Sequence, residues 1–418
     1  MYMEQDEGNG ECIVKPIHLF DEAKQAAMNR AVSQKAVSID LSKAFLHYLA
    51  EDVVAMQNVP PFNRAMMDGF AVRSEDLKEN GNVLTITSKI IAGDEPNGFV
   101  EQGQAARIMT GAPVPQGANA IARFEWCEEL PNNQVKVLKF IEVGESIQSA
   151  GEDGKYGQVL IQKGTRLTGA ELAVCKTFGV HTVNVSVSPR ICILITGNEL
   201  VQDVRTPLKG GQIYGANELF LEGALTEDGA SVTHIEYIQD DLLKIREAIF
   251  RHTKDHDYVI LTGGVSAGDL DYVPKAIRDL VGELDVEKVL MRPGSPFVIS
   301  QIEQTAVFAL SGNPAASFIQ FEALVRPAIR KTLGIEDKGF PVIGELSHEI
   351  HLKPIKHTRI LRAIARHVDG KIMIDARVAQ SPGIMSSFAQ ANCLVRLNES
   401  SYESGAKLPV RLFKPLFF

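Results

Sequence analysis

The stretch VILTGGVSAGDLDYV, residues 259 to 273, joins a strand-like apolar run to a glycine-rich turn that opens a helix. Glycine accepts positive φ and lets a ligand come close to the backbone. The first turn of the following helix would add unpaired N–H groups and the positive end of its dipole. The stretch therefore predicts a phosphate-binding turn formed by Gly263, Gly264, Ser266 and Gly268.

Two acids in the same stretch would repel a phosphate unless a cation lies between them. Acids in the first turn of a helix complement its dipole, and this is the role we expect for Asp269. Asp271 is a candidate magnesium ligand, because Mg²⁺ usually binds through one or two carboxylates together with substrate oxygens.

The chain around this stretch, from residue 188 to about 335, alternates apolar runs with helical patterns. The predicted strands are 190–196, 231–238, 258–262 and 306–311, and the predicted helices are 216–227, 240–252, 271–281 and 315–333. Such alternation predicts an α/β domain whose mostly parallel sheet carries helices on both faces. Ligands in such sheets bind beyond the carboxyl ends of the strands.

Other strand ends of this region offer polar groups of the same kind. SGNPAAS (311–317) predicts a second anion-binding loop with Ser311, Gly312 and Asn313, and TGNEL (196–200) places Glu199 at the same edge. RPGSP (292–296) supplies Arg292, whose guanidinium suits an anion. From the residues alone, a surface arginine beside a proline turn is the favoured interpretation of Arg292. Each loop alone also fits an ordinary βα turn, but two such loops on one edge favour binding.

The flanking regions have a different texture. Residues 54–147 and 336–418 show short strand runs between glycine and proline turns, which predict two β domains. A helix is expected at 19–32. Three turns carry polar residues of interest, Asp68 in MMDGFAV, Thr110 in RIMTGAPVPQGA and Asp153 in AGEDG. Spacing alone does not assemble them, since Asp-Gly is also a common hairpin turn.

Bulk composition narrows the class of protein. The 418 residues and 45% hydrophobic content predict several domains, and the net charge of −9 disfavours nucleic acid as a partner. Five scattered cysteines indicate neither a disulfide framework nor a zinc site. The acidic N-terminus lacks a signal-peptide core, and there is no membrane-length apolar run, so we expect a cytoplasmic protein.

Eight motifs together resemble the MoeA family, the molybdopterin molybdenumtransferases, which are related to the gephyrin E domain. In order they are MDGFAV, RIMTGAPVP, AGED, TGNEL, GGQIYGAN, GGVSAGDLDY, RPGSPF and SGNPAAS. The resemblance implies a multidomain α/β fold. It has an elongated segment domain at 16–53 plus 148–187, an inserted β domain at 54–147, the α/β domain at 188–335, and a C-terminal β domain at 336–418.

The resemblance also implies an activity. Such enzymes are homodimers that insert molybdate into adenylylated molybdopterin and release AMP with the help of Mg²⁺. A molybdopterin-adenylylating protein and molybdoenzyme clients are the expected partners, with no role for nucleic acid or membrane. By matched position, the implied catalytic residues are Asp68, Thr110, Asp153 and Glu199, and the implied metal ligand is Asp271. Asp68, Thr110 and Asp153 are expected on the partner subunit's side of the cleft.

The remaining implied residues bind substrate. They are Gly263, Gly264, Ser266, Gly268, Arg292, Gly294, Ser295, Ser311, Gly312 and Asn313. The chain departs from the family pattern at Asn198, Gly215 and Ser295, where an acid, an aspartate and a lysine are usual. These departures motivate an alternative, a divergent paralogue that binds or delivers the cofactor without catalysing insertion. A purely structural scaffold is a third reading, for which the sequence offers no partner motif.

Overall fold

The computed structural model describes residues 17–77, 82–95, 98–266, 268 and 271–416. This part of the chain forms two compact units, one from the segments up to Val37 and from Val185 onwards, the other from Ser38–Asn184. This division into two units is coarser than the predicted four domains, so the boundaries of the four domains stay a prediction. Asp269 lies outside the described residues.

The chain starts in the first unit with β1 (Ile17–His18) and α1 (Phe20–Asn29). The Glu22 carboxylate accepts a hydrogen bond from the Leu19 N–H (2.9 Å), which closes the first turn of α1. One stripe of this helix is buried through Phe20, Ala23 and Ala27, as its 3.6-residue period requires. The helix predicted at 19–32 is therefore present, and it ends earlier than expected.

The second unit is mainly β. Its elements are β2 (Ala36–Asp40), β3 (Val53–Val54), β4 (Arg64–Ala65), β5 (Gly69–Val72), β6 (Asn82–Ile90), β7 (Gln104–Ile108), β8 (Ala120–Arg123), β9 (Cys127–Leu130), β10 (Gln134–Val137), β11 (Ile147–Gln148), β12 (Val159–Ile161), α2 (Gly169–Thr177) and β13 (Thr182–Ser186), the first and last of which extend past its boundaries. Six of these strands form one sheet in the order β8-β5-β7-β6-β10-β9. Helix α2 begins where the Thr168 N–H donates to the Glu171 carboxylate (2.8 Å).

The chain then returns to the first unit and builds its α/β part. The elements are β14 (Arg190–Thr196), β15 (Leu200–Val201), β16 (Ile213–Tyr214), α3 (Asn217–Glu227), β17 (Ser231–Ile238), α4 (Leu242–His252), β18 (Tyr258–Thr262), α5 (Val273–Val281), β19 (Val286–Val289), β20 (Met291–Arg292), β21 (Pro296–Ile302), β22 (Thr305–Leu310), α6 (Pro314–Gln320), a π-helical turn (Phe321–Val325) and α7 (Arg326–Thr332).

The last part of the same unit is again β. It contains β23 (Val342–Leu346), β24 (Ile350–His351), β25 (Thr358–Val368), β26 (Lys371–Asp375), α8 (Ser387–Gln390), β27 (Cys393–Leu397), β28 (Ser401–Tyr402) and β29 (Lys407–Leu412). β20 joins β23, β25, β26, β27 and β29 in a six-stranded sheet, with order β20-β25-β26-β23-β29-β27.

The seven-stranded sheet of the α/β part has the order β1-β19-β21-β22-β18-β14-β17. The run β22-β18-β14-β17 is parallel, whereas β21 pairs antiparallel with β19 and β22. The parallel run was predicted, and the antiparallel strand was not, because the apolar segment after RPGSP carries no sign of its direction. The parallel run brings the carboxyl ends of β14, β18 and β22 to one edge.

Strand β14 shows why this sheet is covered on both faces. Successive side chains of a strand point to opposite sides. Ile191, Ile193 and Ile195 enter the core that contains residues of α1, α3 and α7. Cys192 and Leu194 enter the core that contains residues of α4 and α5. All five are buried, so RICILIT reads as a continuous apolar run rather than an alternating one.

A buried network of charges ties the helices of this unit to its C-terminal sheet. The Asp228 carboxylate, after α3, accepts from the Arg326 guanidinium (2.6 Å) and the Arg330 guanidinium (3.0 Å). Glu322 accepts from Arg326 (2.5 Å) and from Arg411 of β29 (3.1 Å). Because these groups are shielded from water, removal of one partner leaves an uncompensated charge.

We expect Asp228→Asn to lower the free energy of unfolding by about 3–5 kcal/mol, the usual cost of breaking a buried ion pair. Denaturant unfolding followed by circular dichroism measures this change. The matched control is Asp203→Asn, whose carboxylate pairs with Arg205 on the surface and should change stability by no more than about 0.5 kcal/mol. Equal effects of the two substitutions would contradict a role for the network.

The same network predicts acid sensitivity. Burial would raise the pKa of Asp228, but hydrogen bonds from Arg326 and Arg330 outweigh it and hold that pKa below its ordinary value. A carboxyl group with a depressed folded-state pKa stabilises the protein above its unfolded pKa of about 3.9. This contribution is lost as the pH falls through the lower folded-state pKa. On acidification from pH 5, the free energy of unfolding should therefore fall further for the wild type than for Asp228→Asn.

Candidate functional site

A cleft of about 360 Å³ opens where β14, β18 and β22 end. The end of β14 contributes Thr196 to its wall, the turn that follows contributes Gly197, and the segment 213–217 supplies a further side. The cleft also holds eight of the residues singled out in the sequence, Glu199, Gly263, Gly264, Ser266, Asp271, Ser311, Gly312 and Asn313. The two glycine loops and two of the predicted acids thus meet in one place.

The glycines are needed because the backbones of these loops nearly touch. Gly263 has φ +96°, and a Cβ there would lie 2.4 Å from the Thr196 carbonyl oxygen. A Cβ on Gly312 would lie 3.1 Å from the Gly263 Cα. Glycine is therefore required at position 263, and any side chain at position 312 would press the two loops apart.

The carboxylate of Asp271 shapes its own loop. Its Oδ2 accepts a hydrogen bond from the Gly268 N–H (2.8 Å), and the Asp271 N–H donates to the Gly268 carbonyl (3.0 Å). The loop is thereby closed with the acid at the cleft wall. Gly268 supports the site through this contact.

A further acid that sequence reasoning missed, Asp240, also lines the cleft. Its Oδ2 accepts from the Asn198 N–H (2.9 Å), while its own N–H donates to the Asn198 Oδ1 (3.2 Å). An asparagine at this position therefore ties the loop after β14 to the loop after β17. The pair could be found from sequence only through its placement after two strand ends.

The RPGSP turn reaches the cleft through Pro296, and the substrate-binding role implied for its other residues stays a prediction. Arg292, Gly294 and Ser295 do not line this cleft, and the Ser295 hydroxyl donates to the Val289 carbonyl (2.9 Å). The turn is nonetheless tied to the SGNP loop by buried Gln320. Its Nε2 donates to the Gly294 carbonyl (2.8 Å), and its Oε1 accepts from the Ser311 N–H (2.8 Å).

Arg292 lies on β20 and belongs to a cationic edge. β20 runs parallel to β25, with Arg292 beside Arg359. Burial first, and then the nearby charges of Arg292 and Lys288, lower the pKa of His357 below its ordinary value. The predicted positive charge is thus present, and it is reinforced by residues of β25 and its approach that the sequence did not single out.

The sequence also carried no sign of the polar groups that lie behind Gly215. The Tyr237 hydroxyl of β17 occupies the space at Gly215, because a Cβ there would lie 2.3 Å from it. Asn217 donates from Nδ2 to the Gly312 carbonyl (3.0 Å). Among the described residues, no hydrogen-bond partner meets Asn217 Oδ1, Glu218 Oε2 or the Tyr237 hydroxyl, although all three are buried. Burial, with the neighbouring Glu218 carboxylate, raises the pKa of Tyr237.

The other unit brings two predicted residues together. The backbone N–H and the hydroxyl of Thr110 both donate to Asp68 Oδ1, each at 2.7 Å. These bonds hold the pKa of Asp68 below its usual value, so the carboxylate is ionised at neutral pH. Asp153 lies in a separate turn, where its N–H donates to the Val59 carbonyl (3.0 Å). Its place in a site stays a prediction.

The architecture defines an α/β protein with a ligand cleft at a parallel-strand edge, and comparison identifies the family. Residues 19–179 match the MoeA N-terminal region (domain I and II), 192–331 a probable molybdopterin-binding domain, and 344–413 the MoeA C-terminal region (domain IV). The chain belongs to the MoeA family, which confirms the resemblance and the multidomain fold class.

Curated relatives and solved structures agree. A molybdopterin molybdenumtransferase of Bacillus subtilis is 33% identical over 403 residues, 94% of each chain. One from Staphylococcus epidermidis is 33% identical over 380 residues, 90% of each chain. A crystal structure of the molybdopterin biosynthesis protein MoeA from Pyrococcus horikoshii superposes with a TM-score of 0.84 at 28% identity, covering 96% of this chain and all of its own.

No helix in the described part of the chain is both long and apolar enough to cross a membrane.

Gly263→Ala should distort the cleft, because its Cβ would collide with the Thr196 carbonyl at a positive φ. We expect destabilisation of about 1–3 kcal/mol, the cost of overpacking and backbone strain, measured by thermal unfolding. Gly223→Ala is the control, since a Cβ at that helical position meets nothing within 4 Å. The control should gain up to about 1 kcal/mol. A neutral result for Gly263→Ala would contradict the close contact of the loops.

Proposed function

We propose that the chain acts as a molybdopterin molybdenumtransferase, inserting molybdate into adenylylated molybdopterin and releasing AMP. The observation that carries this proposal is the junction of two glycine loops with carboxylates at one strand edge, in a chain of the MoeA family. A molybdopterin-adenylylating protein would supply the substrate, and molybdoenzyme clients would receive the product.

The glycine loops are suited to the phosphate groups of such a substrate. Gly263, Gly264 and Gly312 expose backbone to the cleft without side chains in the way. Ser266 and Ser311 add hydroxyl groups at the same wall. Hydrogen bonds from N–H and O–H groups to a phosphate are charge-assisted and stronger than those between neutral groups.

Asp271 is the acid that we assign to a magnesium ion, with Asp240 and Glu199 as further carboxylates of the same cleft. Mg²⁺ needs only one or two carboxylates together with substrate oxygens. A bound Mg²⁺ would neutralise the phosphate charge that develops as AMP leaves. Gly268 keeps the Asp271 carboxylate fixed at the cleft, so the loop orients the acid before substrate arrives.

The three substitutions that suggested an inactive paralogue have structural partners in this chain. Asn198 pairs with Asp240, Gly215 leaves room for the Tyr237 hydroxyl, and the Ser295 hydroxyl binds the Val289 carbonyl. Each departure is therefore accommodated locally. Curated relatives of the full chain bear the transferase name, so the binding-only alternative is not favoured.

Asp68 and Thr110 form a hydrogen-bonded polar pair in the other unit, and neither residue lines the cleft. We place this pair, with Asp153, in the active site of a second copy of the chain, so that each site of a homodimer takes residues from both subunits. A C2 dimer has two equivalent composite sites of this kind.

Asp271→Asn should lower the rate of AMP release by at least about 10²-fold, the order expected when one group that stabilises transition-state charge is lost. The assay combines purified protein with adenylylated molybdopterin, molybdate and Mg²⁺, and measures AMP by chromatography. Asp279→Asn, an exposed acid on α5, is the control and should retain wild-type turnover. If the wild type releases no AMP while the Bacillus subtilis relative does, the proposed activity is wrong.

Mixing two inactive variants tests the composite site. Asp68→Ala and Asp271→Ala homodimers should each be inactive, whereas heterodimers contain one site with neither change. Equilibrated equimolar mixtures should therefore recover about a quarter of wild-type activity, since half the dimers carry one intact site of two. Sedimentation analysis establishes that dimers form and exchange. An exchanged mixture that stays inactive would show that both residues serve the same subunit's site.

A further inference from the structure

A cluster of metal-binding side chains lies away from the cleft, where β17 faces the end of α4. His234 and Glu236 are two residues apart on β17, so they point to the same side of the strand. His252 reaches them from the last turn of α4. One ligand atom from each of the three lies within 4.8 Å of the others. None of the three lines the cleft.

The distances within this triad suit a metal ion. Glu236 Oε2 lies 2.9 Å from His252 Nε2 and 3.6 Å from His234 Nε2. Ligand atoms of a tetrahedral Zn²⁺ site with bonds of 2.0–2.2 Å are about 3.4 Å apart. The two imidazole nitrogens thus already converge on one carboxylate oxygen. Only a small lengthening of the distance between His252 Nε2 and Glu236 Oε2 would be needed to admit an ion. The two rings lie side by side, with centroids 4.4 Å apart.

The surroundings of His252 hold it in place. Its ring is largely buried and packs against the edge of His256, with centroids 5.3 Å apart. The His256 Nδ1 lies 2.8 Å from the His252 carbonyl, to which it can donate. Cys192 is also close enough to form a second group with His252 and His256. Burial, first of all, raises the pKa of the Cys192 thiol to about 12, so this sulfur is a poorer ligand at neutral pH than the imidazole and carboxylate groups of the triad.

One positive charge competes for the same carboxylate. The Arg251 guanidinium donates to both oxygens of Glu236, each at 2.7 Å. Its side chain is 54% exposed, so it can swing into solvent without uncovering the core. Arg251 therefore neutralises Glu236 when no ion is bound, and its removal should favour the ion.

We propose that His234, Glu236 and His252 form a binding site for a borderline divalent metal ion such as Zn²⁺, with water completing the coordination. Two imidazoles and one carboxylate favour zinc over magnesium, which prefers oxygen ligands alone. The ion would join an edge strand to the helix that follows it and so stabilise the folded state. The site lies near the amino-terminal end of β18, which α4 precedes, whereas the cleft lies at the carboxyl end, so it is separate from the proposed transferase chemistry.

The test is zinc binding to the full chain after treatment with chelator, measured by isothermal titration calorimetry and by metal analysis after dialysis. The wild type should bind one equivalent of Zn²⁺ at this site and melt at a higher temperature with it, while excess Mg²⁺ should not displace the zinc. His252→Gln and Glu236→Gln should each weaken zinc binding by more than about 10-fold, since even outer-shell changes cost 10–100-fold. Arg251→Gln should strengthen it.

Two controls separate this site from other places where zinc could bind. His351→Gln removes an exposed histidine whose Nε2 lies 3.3 Å from the Glu349 carboxylate. The described residues add no third ligand to this pair, so the change should leave the zinc affinity unchanged. Asp271→Asn tests the cleft and should also leave this affinity unchanged. His234→Gln changes the most exposed of the three ligands, so this variant should fold even if His252→Gln does not. It should likewise weaken zinc binding. Substoichiometric binding, or binding lost only in Asp271→Asn, would overturn the proposal.

Discussion

The close approach of three backbone segments at the carboxyl edge of the parallel strands is the constraint on which the cleft depends. The turn after β18 lies against the Thr196 carbonyl on one side and against the loop after β22 on the other. A side chain at Gly263 would collide with the Thr196 carbonyl, and one at Gly312 would crowd the Gly263 Cα, so the surface offered to a ligand is largely backbone. Polar side chains such as those of Glu199 and Asp271 line the same cleft beside this backbone surface.

Hydrogen bonds from side-chain amide and carboxyl groups fix the loops around the cleft. The side-chain amide of Gln320 bridges the turn at Gly294 and the loop at Ser311, with Nε2 bound to the first and Oε1 to the second. Asp240 and Asn198 join two further loops in the same reciprocal way. Since these hydrogen bonds hold the loops together, the site is arranged before a ligand binds, which lowers the entropic cost of binding.

The sheet itself separates two kinds of chemistry. Its carboxyl edge gathers glycines and carboxylates, whose oxygen ligands suit phosphate groups and a hard cation. Its edge strand β17 carries His234 and Glu236 on one side and Tyr237 on the other, and the Tyr237 hydroxyl fills the space at Gly215 beside the cleft. One strand therefore serves both places, because alternate residues point to opposite sides.

Much of the fold was predictable from sequence because local patterns determine it. RICILIT and YVILT are continuous apolar runs, as strands buried on both faces must be, and the α/β alternation around them predicted the parallel run. The glycine turn after β18 was predictable for the same reason, since glycine spacing and a following helix are local features. The strand β21 was not, because an apolar segment carries no sign of whether it will pair parallel or antiparallel.

The sequence by itself thus determined which loops could receive a ligand and which acids could accompany them. Only the tertiary structure decided which of these meet. It brought Glu199, Asp271 and the unforeseen Asp240 to one cleft, placed the Ser295 hydroxyl against the Val289 carbonyl, and put Tyr237 behind Gly215. The histidines at 234 and 252 had no motif to mark them, because their spacing arises only when α4 folds back along β17. Contacts between residues distant in sequence depend on strand order and on packing across the sheet, and no local pattern encodes either.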